Sequence, residues 1–160
     1  MFTKKRVIAD AGHFSSEWAP VVLRFFQLFV GDQATAEALT IDTLAEHVRN
    51  SGVDSDGDVV VPLLRRALTK GVASAPLNPR STDPLVLAIT RVEPMRRAVI
   101  VLFRGLSLDL DVVAKITGQD RIHARRTCAE ALEELHQRLS SAAPTLRPAS
   151  SNPSDTWEAK

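Results

Sequence analysis

The sequence predicts an all-α protein, two small helical domains joined by a flexible linker, with the second domain ending in a helix-turn-helix. Three observations carry this reading. Apolar residues recur at helical spacing through most of the chain, Pro, Gly, Ser and Asp signals start and stop each stripe, and a Pro- and Ser-rich stretch, SAPLNPRSTDP at 74–84, divides the pattern in two. At 160 residues there is room for two small units, each with a modest core. The expected boundaries are an N-terminal arm at 1–14, a first domain at 15–73, a linker at 74–83, a second domain at 84–140 and a disordered tail at 141–160.

In the first domain the strongest signal is SEWAPVVLRFFQLFV at 16–30, where Ser15 or Ser16 serves as cap and Pro20 falls in the first turn. Trp18, Val21, Val22, Phe25, Phe26, Leu28 and Phe29 give this helix a wide apolar face, which reads as core. Gly31 stops it and Asp32 caps the next helix, whose stripe is Ala36, Leu39, Thr43, Leu44 and Val48. The acidic loop that follows carries Asp54, Asp56 and Asp58, but a calcium loop wants glycine at its sixth position and glutamate at its twelfth, whereas Gly57 comes too early and Arg65 takes the glutamate's place, so a solvated loop is expected. A third helix is expected over 59–73, with Pro62 in its first turns and Gly71 weakening its end. The linker, fully extended, reaches roughly 35 Å, enough for the two halves to sit apart on an elongated partner.

In the second domain Asp83 and Pro84 open a helix that breaks at Glu93–Pro94, and MRRAVIVLFR follows to Gly105. Ser107 is expected to head the next helix, through Ile116, with Gly118 as its carboxyl cap. Asp120 caps a last helix, where Ala124, Cys128, Leu132, Leu135 and Leu139 form the buried stripe. Arg121, His123, Arg125 and Arg126 project elsewhere, and the acids Glu130, Glu133 and Glu134 come later. Basic first turns are what a recognition helix needs, because those turns enter the major groove. Each good Arg contact to a base edge gives about 1–3 kcal/mol of discrimination.

Composition narrows the function classes. Apolar residues make up 44% and charged ones 24%, a globular mixture. The single cysteine, Cys128, allows no internal disulfide and no multi-cysteine zinc site, and it suits a reducing compartment. No apolar stretch approaches the roughly 20 residues of a membrane span, and the start MFTKKRVIAD lacks the apolar run of a signal peptide, so a soluble cytoplasmic protein is expected. The net charge of +1 is small, and its excess lies in 85–140. No Gly-rich phosphate loop, HExxH, GxSxG or Cys/His pairing is present, and His123 has no second ligand nearby in sequence. No catalysis, cofactor or metal is expected.

The order of these pieces resembles the compact two-domain sigma factors of the extracytoplasmic-function type, bacterial RNA polymerase initiation subunits of the sigma-70 family, over 16–139. The matching residues are Gly31-Asp32 followed by Ala36-Glu37-Ala38-Leu39-Thr40-Ile41-Asp42-Thr43-Leu44, then Val92-Glu93-Pro94-Met95-Arg96-Arg97, then Gly105-Leu106-Ser107, and finally His123-Ala124-Arg125-Arg126-Thr127-Cys128 leading to Ala131 and Leu135. The resemblance implies a region 2-like first domain and a region 4-type helix-turn-helix. It further implies a transcription initiation factor that binds promoter DNA and the RNA polymerase core, with an anti-sigma factor as a further partner. Promoter contacts would fall to Arg121, His123, Arg125, Arg126 and Lys115, polymerase contacts to Glu37, Ile41 and Asp42, and downstream-promoter contacts to Arg65, Arg66 and Lys70. Where the family grips polymerase with Asp, Gln and Glu, this chain carries Ala38, Ile41 and Asp42. That departure implies an alternative, a sigma-like interaction module that binds a partner protein around Ile41.

Overall fold

The computed structural model describes residues 3–51, 58–74 and 80–142. The expectations placed on Asp54, Asp56 and Gly57, on the centre of the linker and on the C-terminal tail fall outside the described residues. The described chain is all-α, as expected, with seven helices: α1 (Thr3–Val30), α2 (Gln33–Ser51), α3 (Val60–Ser74), α4 (Pro84–Thr90), α5 (Pro94–Ile100), α6 (Leu110–Thr117) and α7 (Arg121–Ala142). A π-helical turn, Val101–Gly105, continues α5.

α1 is much longer than its sequence signals indicate. It starts at Thr3, so Pro20 lies in its interior, and the Ser16 hydroxyl donates back to the His13 carbonyl at 2.9 Å instead of capping a new helix. An interior proline costs a helix about 3 kcal/mol. Packing on both sides of Pro20 offsets that cost. Phe14 lies flat against His47 of α2 with ring centroids 5.3 Å apart, and Val22, Phe25, Phe26 and Phe29 are fully or almost fully buried beyond the proline. Each such phenylalanine contributes about 1.5–3 kcal/mol when removed from water.

Gly31 ends α1 in the left-handed region at φ 73°, which costs an L side chain but not glycine. Asp32 caps α2 by accepting from the Thr35 N–H at 2.9 Å. α2 and α3 close against α1, and α3 meets it at a glycine. A Cβ at Gly71 would stand 3.0 Å from the Phe29 ring, so Gly71 serves close approach as well as helix weakening.

The two halves are docked. α1 touches α4 and the π-turn, and α3 touches α6. Arg97 holds this junction: it is 7% exposed, and its guanidinium donates to the carbonyl of Phe29 (3.0 Å) at the end of α1, to that of Val92 (2.9 Å) and to that of Thr90. It also lies over the Phe29 ring, 5.1 Å from the centroid. Three carbonyls thus replace a carboxylate as its partners, and burial pushes the guanidinium below its ordinary pKa. Beside it Gly105 presses on Leu28, where a Cβ would come within 2.5 Å of Cδ1.

Asp83 caps α4, accepting from the Leu85 N–H at 2.8 Å, with Pro84 at the first helical position. Glu93 caps α5 ahead of Pro94. Ser107 does not head α6: its φ is +55°, and α6 starts three residues later, after Asp109. The π-turn is the reason, since it spends an additional residue before the chain reverses and leaves Ser107 at the bend.

Candidate nucleic-acid interface

α6 and α7 are joined by Gly118, Gln119 and Asp120. Gly118 adopts φ 70° at the end of α6, and the Asp120 carboxylate accepts the His123 N–H at 2.7 Å to start α7. Ala124, Thr127, Cys128, Ala131 and Leu135 are buried along one side of α7. Burial raises the Cys128 thiol pKa and keeps it a protonated, packed side chain.

This inward stripe fixes which residues point out. Arg121, Ile122, His123, Arg125 and Arg126 are all exposed in the first turns of α7. Arg121 reaches Asp111 of α6 at 3.2 Å, with 73% of its side chain still exposed. Arg126 touches the His123 ring at 3.1 Å and lies 3.9 Å from Glu130, with 67% exposed. Pairs this open contribute about 0–1 kcal/mol and exchange readily for other anions. Arg125 takes part in no ion pair among the described residues. Lys115 is exposed on α6, and its carbonyl accepts from Arg65 at 2.5 Å. The structure therefore gathers Arg121, His123, Arg125 and Arg126 on one helix start, with Lys115 on the neighbouring helix.

The α2–α3 face is organised differently. Its groove, about 570 Å³, is lined by Glu46, Pro62, Arg65, Arg66, Thr69 and Lys70. Lys70 bridges Asp42 and Glu46, the latter at 2.7 Å, and Arg66 pairs with Glu46 at 2.9 Å. Lys70 is the chief cause that holds both carboxylates below the usual carboxylate range, and they in turn raise Lys70. Arg65 donates across the junction to the last turn of α6, where a cation also complements the helix dipole. All three α3 cations thus have partners inside the chain. On α2, Glu37 is exposed and accepts from the Gln33 amide at 2.5 Å, while Ile41 is 71% exposed.

Three features escaped the sequence reading. His47 is 1% exposed with neither ring nitrogen hydrogen-bonded among the described residues, and burial lowers its pKa. It falls one turn after Thr43 on the predicted stripe, which was the available signal. Arg97 is a buried clamp rather than a surface cation. Ile122, 84% exposed, is the most open large apolar side chain among those described; its place off the Ala124–Cys128 stripe was legible. Among the described residues no three His, Cys, Asp or Glu side chains converge as metal ligands, and no helix is long and apolar enough to cross a membrane.

Comparison with known proteins places this geometry. No protein-family model matches the sequence, and no curated protein sequence does. Among solved structures, the chain is similar to the sigma factor RpoE of Bartonella quintana, crystallised in complex with the anti-sigma factor NepR, at 14% identity and a TM-score of 0.67. The match covers 81% of this chain and 98% of that one. The fold is therefore sigma-factor-like.

Proposed function

We propose that the chain is a sigma-like transcription factor that reads promoter DNA with the first turns of α7 and joins the RNA polymerase core through the α2 face. The observation that carries this reading is the cluster Arg121, His123, Arg125 and Arg126 at an open helix start, on a fold that matches a sigma factor over most of both chains. Arg side chains placed there fit guanine edges and backbone phosphates, and a helix-turn-helix presents its second helix in this way. Lys115 would add a phosphate contact, and Glu37, Ile41 and Asp42 would meet polymerase. Arg65, Arg66 and Lys70 would reach downstream DNA only after leaving their present partners. Reconstituted transcription with core polymerase on DNA selected from random sequence tests the reading. Selected sites that support initiation are expected; no core binding and no initiation would sink it.

A second reading rests on Ile41. An apolar side chain 71% exposed where the sigma family is polar, beside an Asp42 already held by Lys70, suits a protein partner better than a polar grip on polymerase. An anti-sigma protein is the partner class this reading names. Affinity capture separates the two: polymerase subunits on the bait support the first reading, and one small protein lost on Ile41→Asp supports the second.

A further inference from the structure

We infer that Ile122 is a specificity residue which reads the 5-methyl group of a thymine next to the base contacted by Arg125 or Arg126. The inference rests on the DNA reading above and deepens it, from a cationic surface to a site of stated base content. A single exposed isoleucine is ordinary on a protein surface, and its position is what gives this one meaning. With 3.6 residues per turn, Ile122 points nearly opposite the buried stripe of Ala124, Cys128, Ala131 and Leu135, on the side that a recognition helix turns toward DNA. Arg125 and Arg126 follow it by three and four residues, so all three side chains share that outer surface, with Cβ atoms roughly 5–6 Å apart. Its exposure of 84% exceeds that of Ile41, Val72, Leu85 and Met95; Met95 also sits at a helix start beside two arginines, but there Arg97 is buried and Arg96 is paired with Glu130 and Glu134.

Chemistry assigns the ligand. The thymine methyl is the one apolar group on a base edge in the major groove, and apolar side chains read it by contact, while Arg pairs with guanine O6 and N7. Base pairs step by about 3.4 Å, so a 5–6 Å side-chain separation places the thymine within about two base pairs of the guanine. Ile122 and the arginines would then read one short T- and G-containing motif together.

The test uses the full chain and the duplex it selects from random DNA, compared with the same duplex carrying deoxyuridine at the motif thymine. Wild type should bind the deoxyuridine duplex about three- to fivefold more weakly, the worth of one buried methyl. Ile122→Ala should bind both duplexes equally, and at so exposed a position it should keep the wild-type circular dichroism spectrum and melting temperature. Of Arg125→Ala and Arg126→Ala, the one that removes the base contact should lose guanine discrimination, and both should keep the thymine-to-deoxyuridine ratio. If DNA is selected but wild type ignores the methyl, or the ratio survives in Ile122→Ala, the assignment to Ile122 is overturned and the DNA reading stands. If no DNA is selected at all, the DNA reading itself falls.

Discussion

The start of α7 and the groove of α3 carry similar numbers of basic residues, yet they are opposite kinds of surface. On α3, Arg66 and Lys70 keep only 23% and 21% of their side chains exposed and share carboxylates on α2. On α7, Arg121 and Arg126 keep 73% and 67%. A phosphate approaching α3 must displace Asp42, Glu46 or the Lys115 carbonyl first, whereas one approaching α7 replaces water and a weak pair. Counting cations along the sequence cannot distinguish the two. What distinguishes them is whether folding has already supplied the counter-charge.

Both surfaces depend on the junction that fixes α1, α4 and α5 together, so the largest effect is expected there. Arg97→Ala removes a buried guanidinium and strands the carbonyls of Phe29, Thr90 and Val92; a loss of about 3 kcal/mol or more is expected in urea denaturation. Arg97→Lys should recover only part of it, since one ammonium cannot reproduce the planar fork. A wild-type stability from either variant would mean that the docked arrangement is not what holds the two surfaces in place.

The next test sets the surfaces directly against each other. Arg125→Ala should weaken binding to selected DNA by about 10–100-fold, equivalent to about 1–3 kcal/mol, and leave the melting temperature within a degree or two. Arg66→Ala should do the reverse, lowering thermal stability while DNA affinity stays near wild type. Titration against salt sharpens this: each α7 cation that meets a phosphate contributes about 0.9 to the slope of log K against log salt, and α3 variants should leave that slope unchanged. Equal slopes lost from both sets would break the contrast.

The smallest effects are in pH. His47 has a lowered folded pKa, so the unfolded chain takes up its proton first, and stability should fall as pH drops below about 6.5 and go on falling until the folded value is reached. Asp42 and Glu46, also lowered, contribute stability that is complete above the ordinary carboxylate range and disappears as pH falls through their folded values. The two windows are separable. His47→Leu should flatten the upper one in urea midpoints measured against pH, while Lys70→Met should flatten only the lower one.

Much of the fold was legible because helix punctuation is local chemistry. Asp32, Asp83, Gly118 and Asp120 each act within a few residues and perform the expected role, while Glu93, expected only as part of a helix break, also caps α5. Features set by distant contacts were not legible. α1 runs on through Ser16 and Pro20, and Phe14, ahead of both, packs on His47 of α2, a contact that local capping signals do not encode, so Ser16 and Pro20 gave a false boundary. Ser107 carried a sensible cap signal that the π-turn overrode. The basic start of α7 was visible as a cluster, but the engagement of Arg65, Arg66 and Lys70 was not, because their partners lie 20 to 50 residues away.

The hydrogen bond from Arg97 to the Phe29 carbonyl spans 68 residues of sequence. On a translating ribosome Phe29 would emerge 68 residues ahead of that guanidinium, and at about 5–20 residues per second the delay is on the order of 3–15 s. During that interval the end of α1 offers its last carbonyls and the edge of a phenylalanine cluster to the surrounding solvent. A pause in translation before Arg97 is made would lengthen that interval.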